Sequence, residues 1–400
     1  MIRLLGSAPL QSDKVLGWRG SVFFLLLLIL MGCGPTETAV FPSSPSALPT
    51  PDLTLTAPQL QWQTAVLDGL TSPPVLAGGK VIVATDTAVI AYAPDTGQEL
   101  WRISPDGGVW SRSLAADDRA VFVGTPGGVL ALGLTDGQTI WRQPLEGELI
   151  WPPLAADGRL YVATAFVGPG LPPQADGKSW VYALEATSGR VEWSAKTAAY
   201  ALITPAVNQE LLIVGGSWLS EEAVAEGGHL RLHAYNKQTG LLVWSADRED
   251  GFLKSLAADD ARLYFLAYTD MVYALDAAAG SEAWRYPTEN WSPGFRLYEG
   301  ELYFGSDNAF VHAVDGQSGT AVWRAQLEGI FNAPRSTPTV AGKALYFQGN
   351  DNRLYCLTRE TGEVCWQTEP QARSRVPLVV GDGRLFLLGQ DGVLYTFAAP

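Results

Sequence analysis

The chain has 400 residues, of which 47% are hydrophobic and 17% charged, with 42 Gly and 14 each of Trp, Tyr and Phe. This composition supports a sizeable core, excludes global disorder, and favours strands and tight turns over helices. A formal net charge of −14 repels phosphate backbones and so excludes nucleic acid as the expected partner, while three His (His229, His233, His312) and three Cys are too few for a zinc cluster of usual spacing.

In chain order, the first feature is an address. Arg3, Lys14 and Arg19 precede the apolar run Ser21–Met31, which has the length of a signal-peptide core and is short for a spanning helix. The run ends in Leu30-Met31-Gly32-Cys33, which resembles a bacterial lipobox. The expectation is that residues 1–32 are a signal peptide and that Cys33 is lipidated. Two or more acyl chains there would hold the protein firmly to a membrane. Residues 33–57 are rich in Pro, Ser and Thr and read as a flexible tether.

From residue 58 the chain repeats. Trp62, Trp101, Trp141, Trp193, Trp244, Trp284, Trp323 and Trp366 recur at intervals of 39, 40, 52, 51, 40, 39 and 43 residues. A Gly stands four residues before each Trp except Trp62, and two alternating apolar segments, such as RLYFLA (262–267) and VYALDAAAG (272–280), precede each Gly. The Gly supplies the positive φ of a tight hairpin, and the Trp fills the space between neighbouring sheets. About 40 residues is the length of one four-stranded propeller blade. The expected fold is therefore all-β: an eight-bladed β-propeller of antiparallel blades spanning 58–400. Its last blade takes the second and third strands from RLFLLG (384–389) and GVLYTF (392–397), and its outer strand from the N-terminal segment LQWQTA (60–65). Seven blades with a stray hairpin is the alternative.

Two insertions interrupt the period, at residues 166–179 and 217–228, each between the second and third strands of its blade. Both should rise on one rim, flanked by Trp180 and Trp218, as partner-binding loops. Trp110, Trp151, Tyr200, Phe252, Trp291 and Phe331 each precede an innermost strand, so they should share one mouth of the central channel. Arg112, Lys254, Arg335, Arg373 and Arg375 lie nearby, making an aromatic, basic surface. The same aromatics could instead simply close the channel by packing. Near the C-terminus, Cys356 and Cys365 lie at equal offsets from the turn Glu360-Thr361. That offset predicts directly opposed positions and a cross-strand disulfide. No nucleophile elbow, phosphate loop or metal-ligand spacing is present, so no catalytic residue and no metal site is expected.

The strand–turn–Gly-x-x-x-Trp unit resembles the pyrroloquinoline-quinone (PQQ) type propeller repeat across residues 60–397. One branch of that family, the quinoprotein alcohol dehydrogenases, implies PQQ and calcium held beside an adjacent Cys pair. This chain has no such pair and is shorter, so no cofactor is expected. The other branch, the BamB-like propeller lipoproteins of the outer-membrane β-barrel assembly machinery, shares the lipobox, the single ring and the lack of a catalytic set. That resemblance implies a monomeric, non-catalytic, lipid-anchored scaffold binding protein partners at the cell envelope, on the outer membrane if there is one. A ligand-sensing or solute-binding propeller is the second reading, and a PQQ-dependent dehydrogenase the third.

Overall fold

The computed structural model describes residues 57–398, except 67–71, 111–112, 150, 166–178, 198–202, 219–228, 329–332 and 375. Cys33 and the signal, most of the tether, and Arg112, Tyr200, Phe331 and Arg375 lie outside the described residues.

Eight four-stranded antiparallel sheets form an eight-bladed propeller. Blades I–VII each use four consecutive strands; blade V, for example, comprises Leu253–Ala258, Arg262–Ala267, Met271–Asp276 and Glu282–Pro287. The first strand of each blade is innermost and contacts the first strand of at least one neighbouring blade around the axis. Second and third strands are apolar on both faces because each is sandwiched between sheets; Arg159–Thr164 is buried at every position after the first. Outer strands alternate, as in Glu99–Ile103, where Trp101 points inward and its neighbours are exposed.

Blade VIII closes the ring. Val379–Gly381, Arg384–Leu388 and Val393–Ala398 supply its first three strands, and Leu60–Ala65 supplies the fourth. Trp62 pairs with Thr396 and Ala65 with Val393. Joining the two ends removes the exposed sheet edges that an open array would present.

The repeat has a physical cause that spans two blades. The indole Nε1 of each of seven Trp donates to a backbone carbonyl of the next blade, at 2.7–3.1 Å: Trp62 to Pro94, Trp101 to Leu134, Trp141 to Ala186, Trp193 to Lys237, Trp244 to Ala277, Trp284 to Gly316 and Trp323 to Arg359. Each acceptor stands three residues before the turn Gly of that blade. Those seven Gly have φ between 69° and 74°. A Cβ on any of them would meet the preceding blade's Trp ring at 2.5–2.9 Å, so the position excludes side chains for steric as well as backbone reasons. Across the sheet, the residue paired with Trp101, Trp141, Trp193, Trp244, Trp284 and Trp323 is always Ala, ten positions earlier, and in every case a bulge follows it. Trp366 is the exception. Blade VIII has no turn between its third and fourth strands, and among the described residues its buried Nε1 finds no acceptor.

The bulge corrects the expected cysteine register. Cys356 pairs with Trp366, occupying the position that is Ala in the other blades, and Cys365 is the extra residue of the bulge. Counting equal offsets from the turn missed that extra residue. The two residues are nevertheless neighbours and stand as free thiols. The hydrogen bond to Cys365, followed by burial, pushes the Cys356 thiol up.

The clasp makes a paired prediction. Gly189→Ala must place a methyl 2.5 Å from the Trp141 ring at positive φ, whereas Gly342→Ala, at φ 58°, meets nothing within 4 Å. Both carry the left-handed backbone cost of about 1–2 kcal/mol. Urea unfolding should therefore show Gly189→Ala losing clearly more stability than Gly342→Ala; equal losses would show that the ring contact is not limiting.

Candidate functional site

In blades II, V, VI, VII and VIII the segment that leads into the innermost strand docks at the hairpin end of the second strand, so both lie at the same end of the ring. Backbone bonds fix this repeatedly: Trp110 N donates to Gly124 O, Tyr268 N to Phe252 O, Asp307 N to Trp291 O, Asn350 N to Ala333 O and Gln390 N to Arg373 O, at 2.7–3.0 Å. Trp110, Phe252, Trp291 and Arg373 therefore occupy equivalent positions around one mouth.

The mouth is best formed at blades V and VI. Phe252 packs edge-on against Tyr268, with ring centroids 5.9 Å apart. Lys254 sits almost fully buried beneath them; its Nζ is 4.3 Å from the Tyr268 ring centroid and 5.1 Å from that of Trp291. The ammonium also donates to Ser292 O at 3.4 Å and lies 3.7 Å from Asp270 Oδ1. Burial lowers the Lys254 pKa, with Asp270 opposing the shift; burial likewise raises that of Asp307 on the neighbouring hairpin. The outer faces stay open: Tyr268 is 56% exposed and Trp291 39%. The result is an exposed aromatic platform held rigid by a cation beneath it.

Its supports are also polar and fixed. Arg248, over the Tyr273 ring at 4.6 Å, bonds Asp250 and Glu282, while Tyr273 Oη donates to Asp250 at 2.7 Å. Below the Asp307 hairpin, fully buried His312 stacks on Phe304 and bonds Tyr286 and Ser306 through its two ring nitrogens. Burial lowers its pKa to about 3, and lowers that of His233 to about 4.

Other expected residues are more dispersed. Trp151 is exposed, and Trp110 is half-buried with its Nε1 unsatisfied among the described residues. Trp180 stacks on Tyr182 at the base of the 166–178 insertion, with Lys196 Nζ 5.9 Å from its ring. Trp218 ends the second strand of blade IV, paired with His229, at the base of the second insertion. Arg335 is tied down, its Nη2 donating to Asn350 O at 2.7 Å. Tyr268, Asp270 and Asp307 were missed by the sequence reading, although their signal was present: each lies on a hairpin between a blade's second and third strands. Among the described residues no cluster of three His, Cys, Asp or Glu could hold a metal ion.

Buried neutral His312 gives a pH prediction. Its folded pKa lies below the unfolded value near 6.5, so the unfolded state alone takes up the proton as pH falls and stability drops from pH 6.5 towards 3. Between pH 6.5 and 5 the cost of each such His rises from about 0.7 towards about 1.4 kcal/mol per pH unit. His312→Gln should flatten this slope by about half in chemical unfolding, leaving the His233 share; an unchanged slope would show that His312 is not held neutral.

The family model described as "Outer membrane protein assembly factor BamB" matches residues 85–225, 179–310 and 307–399. No curated protein matches the chain by sequence. Among solved structures, BamB from Moraxella catarrhalis is 17% identical, with 86% of this chain and 100% of that one covered at a TM-score of 0.60. The computationally designed Ika8 protein is 12% identical, with 84% and 98% covered and a TM-score of 0.65. Quinohemoprotein alcohol dehydrogenase from Comamonas testosteroni is 14% identical, with 86% and 76% covered and a TM-score of 0.64. At these identities the structural likenesses carry the fold alone.

Proposed function

The chain belongs to the outer membrane protein assembly factor BamB family, and from that premise we propose that it is a non-catalytic scaffold at the cell envelope. The observation that carries the reading is the blade V–VI mouth, where Phe252, Tyr268 and Trp291 present an open aromatic surface over a buried, paired Lys254. Rigid aromatics with one wet face are what protein-binding hot spots use. Lys254 serves the platform rather than a reaction, because its charge is already shared between two rings, a carbonyl and Asp270. The partner is a protein, met by a monomeric propeller, with the insertions at 166–179 and 217–228 adding contacts on the same rim.

Anchoring follows from the N-terminal sequence. Lipidated Cys33 holds the ring at the periplasmic or extracellular face of a membrane, the outer membrane where there is one, through the tether 33–57. PQQ has no place in this reading, because the sequence lacks the adjacent Cys pair that the quinoprotein alcohol dehydrogenases imply.

Affinity capture from detergent-solubilised envelope tests the scaffold. The wild type should recover a defined protein partner, and Trp291→Ala and Tyr268→Ala should reduce recovery at least tenfold while leaving the unfolding midpoint within a few degrees. Undiminished recovery with both variants would remove the mouth from the interface.

For Cys356 and Cys365 we propose oxidation to a disulfide after export. Two thiols lose two protons and two electrons to a disulfide-exchanging oxidant, and their existing contact requires little movement. Thiol counting on the unfolded, unreduced mature protein should find neither residue reactive; two reactive thiols would refute the bond.

A further inference from the structure

The described innermost strands are Val75–Ala77, Leu114–Ala116, Leu154–Ala156, Ala206–Val207, Leu253–Ala258, Phe295–Tyr298, Thr339–Ala341 and Val379–Gly381. They contain only two charged side chains, Lys254 and Arg296. Lys254 is fully engaged at the mouth. Arg296 is not: neither an ion pair nor a hydrogen bond ties its side chain to any described residue. On an acidic protein this is unusual, since carboxylates outnumber cations 41 to 27.

Position explains the isolation. Arg296 pairs with Tyr303 of the second strand. Counted from the corresponding turn, its counterparts in other blades are short and uncharged, among them Val75, Ala115, Leu154 and Val379. Those residues fit at the inner edge of their sheets, whereas an Arg must reach past it into the axial channel. The side chain is open to water, yet surrounding protein desolvates it enough to lower its pKa, with burial the sole cause. An exposed side chain on an innermost strand, with a blade on either side, faces the axial channel. Two hydroxyls flank the backbone just ahead of it. A Cβ on Gly294, two residues before Arg296, would lie 2.6 Å from Thr337 Oγ1 and 3.7 Å from Ser255 Oγ, contributed by the blades on either side.

We propose that Arg296 anchors a binding site for a small dissolved oxyanion in the central channel, with the Ser255 and Thr337 hydroxyls available as further donors. The guanidinium fork matches the paired oxygens of phosphate, sulfate or a carboxylate. A partly desolvated cation with no counter-charge among the described residues gains from such a ligand, whereas the protein's net charge discourages anions from collecting elsewhere. The site is independent of any protein bound at the mouth.

Thermal unfolding of the full chain in rising inorganic phosphate, with ionic strength held constant by sodium chloride, tests this. A ligand that binds only the folded state raises the midpoint in a saturable way. Wild type and the exposed-surface control Arg119→Gln should show the rise, and Arg296→Met should not. Arg296→Lys should require a several-fold higher phosphate concentration. In the wild type, the Arg296 Nε–H resonance, assigned by its loss in Arg296→Lys, should move with phosphate and stay still with chloride. No saturable rise in the wild type, an equal rise in Arg296→Met, or a resonance that ignores phosphate would each overturn the proposal.

Discussion

The interaction on which the ring depends is the reach of one blade's Trp onto the next blade's turn. The indole ring lies where a Cβ would stand on the turn Gly, and its Nε1 is satisfied by a carbonyl three residues earlier. A large apolar area, a buried donor with its acceptor, and a left-handed turn are thus all met by a single contact. Seven copies link eight blades in sequence. The eighth junction, between blades VII and VIII, has no turn to receive Trp366 and is held instead by packing, while the ladder between Leu60–Ala65 and Val393–Ala398 closes the chain within blade VIII.

Much of this was legible in the residues because the contact is written twice, once as Gly and once as Trp, at a fixed separation. Trp62, which lacks the preceding Gly, already pointed to a strand whose hairpin partner lies at the far end of the chain. The bulge was harder to see. Its marker is the Ala ten residues before each Trp, but an Ala in an apolar strand carries no distinctive chemistry, and at Cys356 the marker is replaced. Missing one bulged residue shifted the cysteine register by one.

The candidate site divides along similar lines. Phe252 and Trp291 could be assigned to one mouth from the sequence because propeller topology fixes which connections share an end. Tyr268 was missed because its role arises between a hairpin and its neighbouring lead-in segment, separated by 16 residues and joined by a backbone bond. Arg296 was equally invisible. In sequence it is an ordinary Arg in a short strand, and only register against the other blades shows it at the inner edge. The two proposed roles call on different chemistry: fixed aromatic area at the mouth for a protein, and in the channel Arg296, unpaired among the described residues, for a small anion.

The clasp can be observed directly through indole N–H exchange, resolved by nitrogen-15 NMR after transfer to deuterated solvent. The account predicts that the Nε1 protons of Trp62, Trp101, Trp141, Trp193, Trp244, Trp284 and Trp323 persist together and are lost at one common, slow rate, because each opens only when the ring opens. Fast or widely scattered exchange among these seven would contradict it, by showing that neighbouring blades are not locked through their Trp side chains.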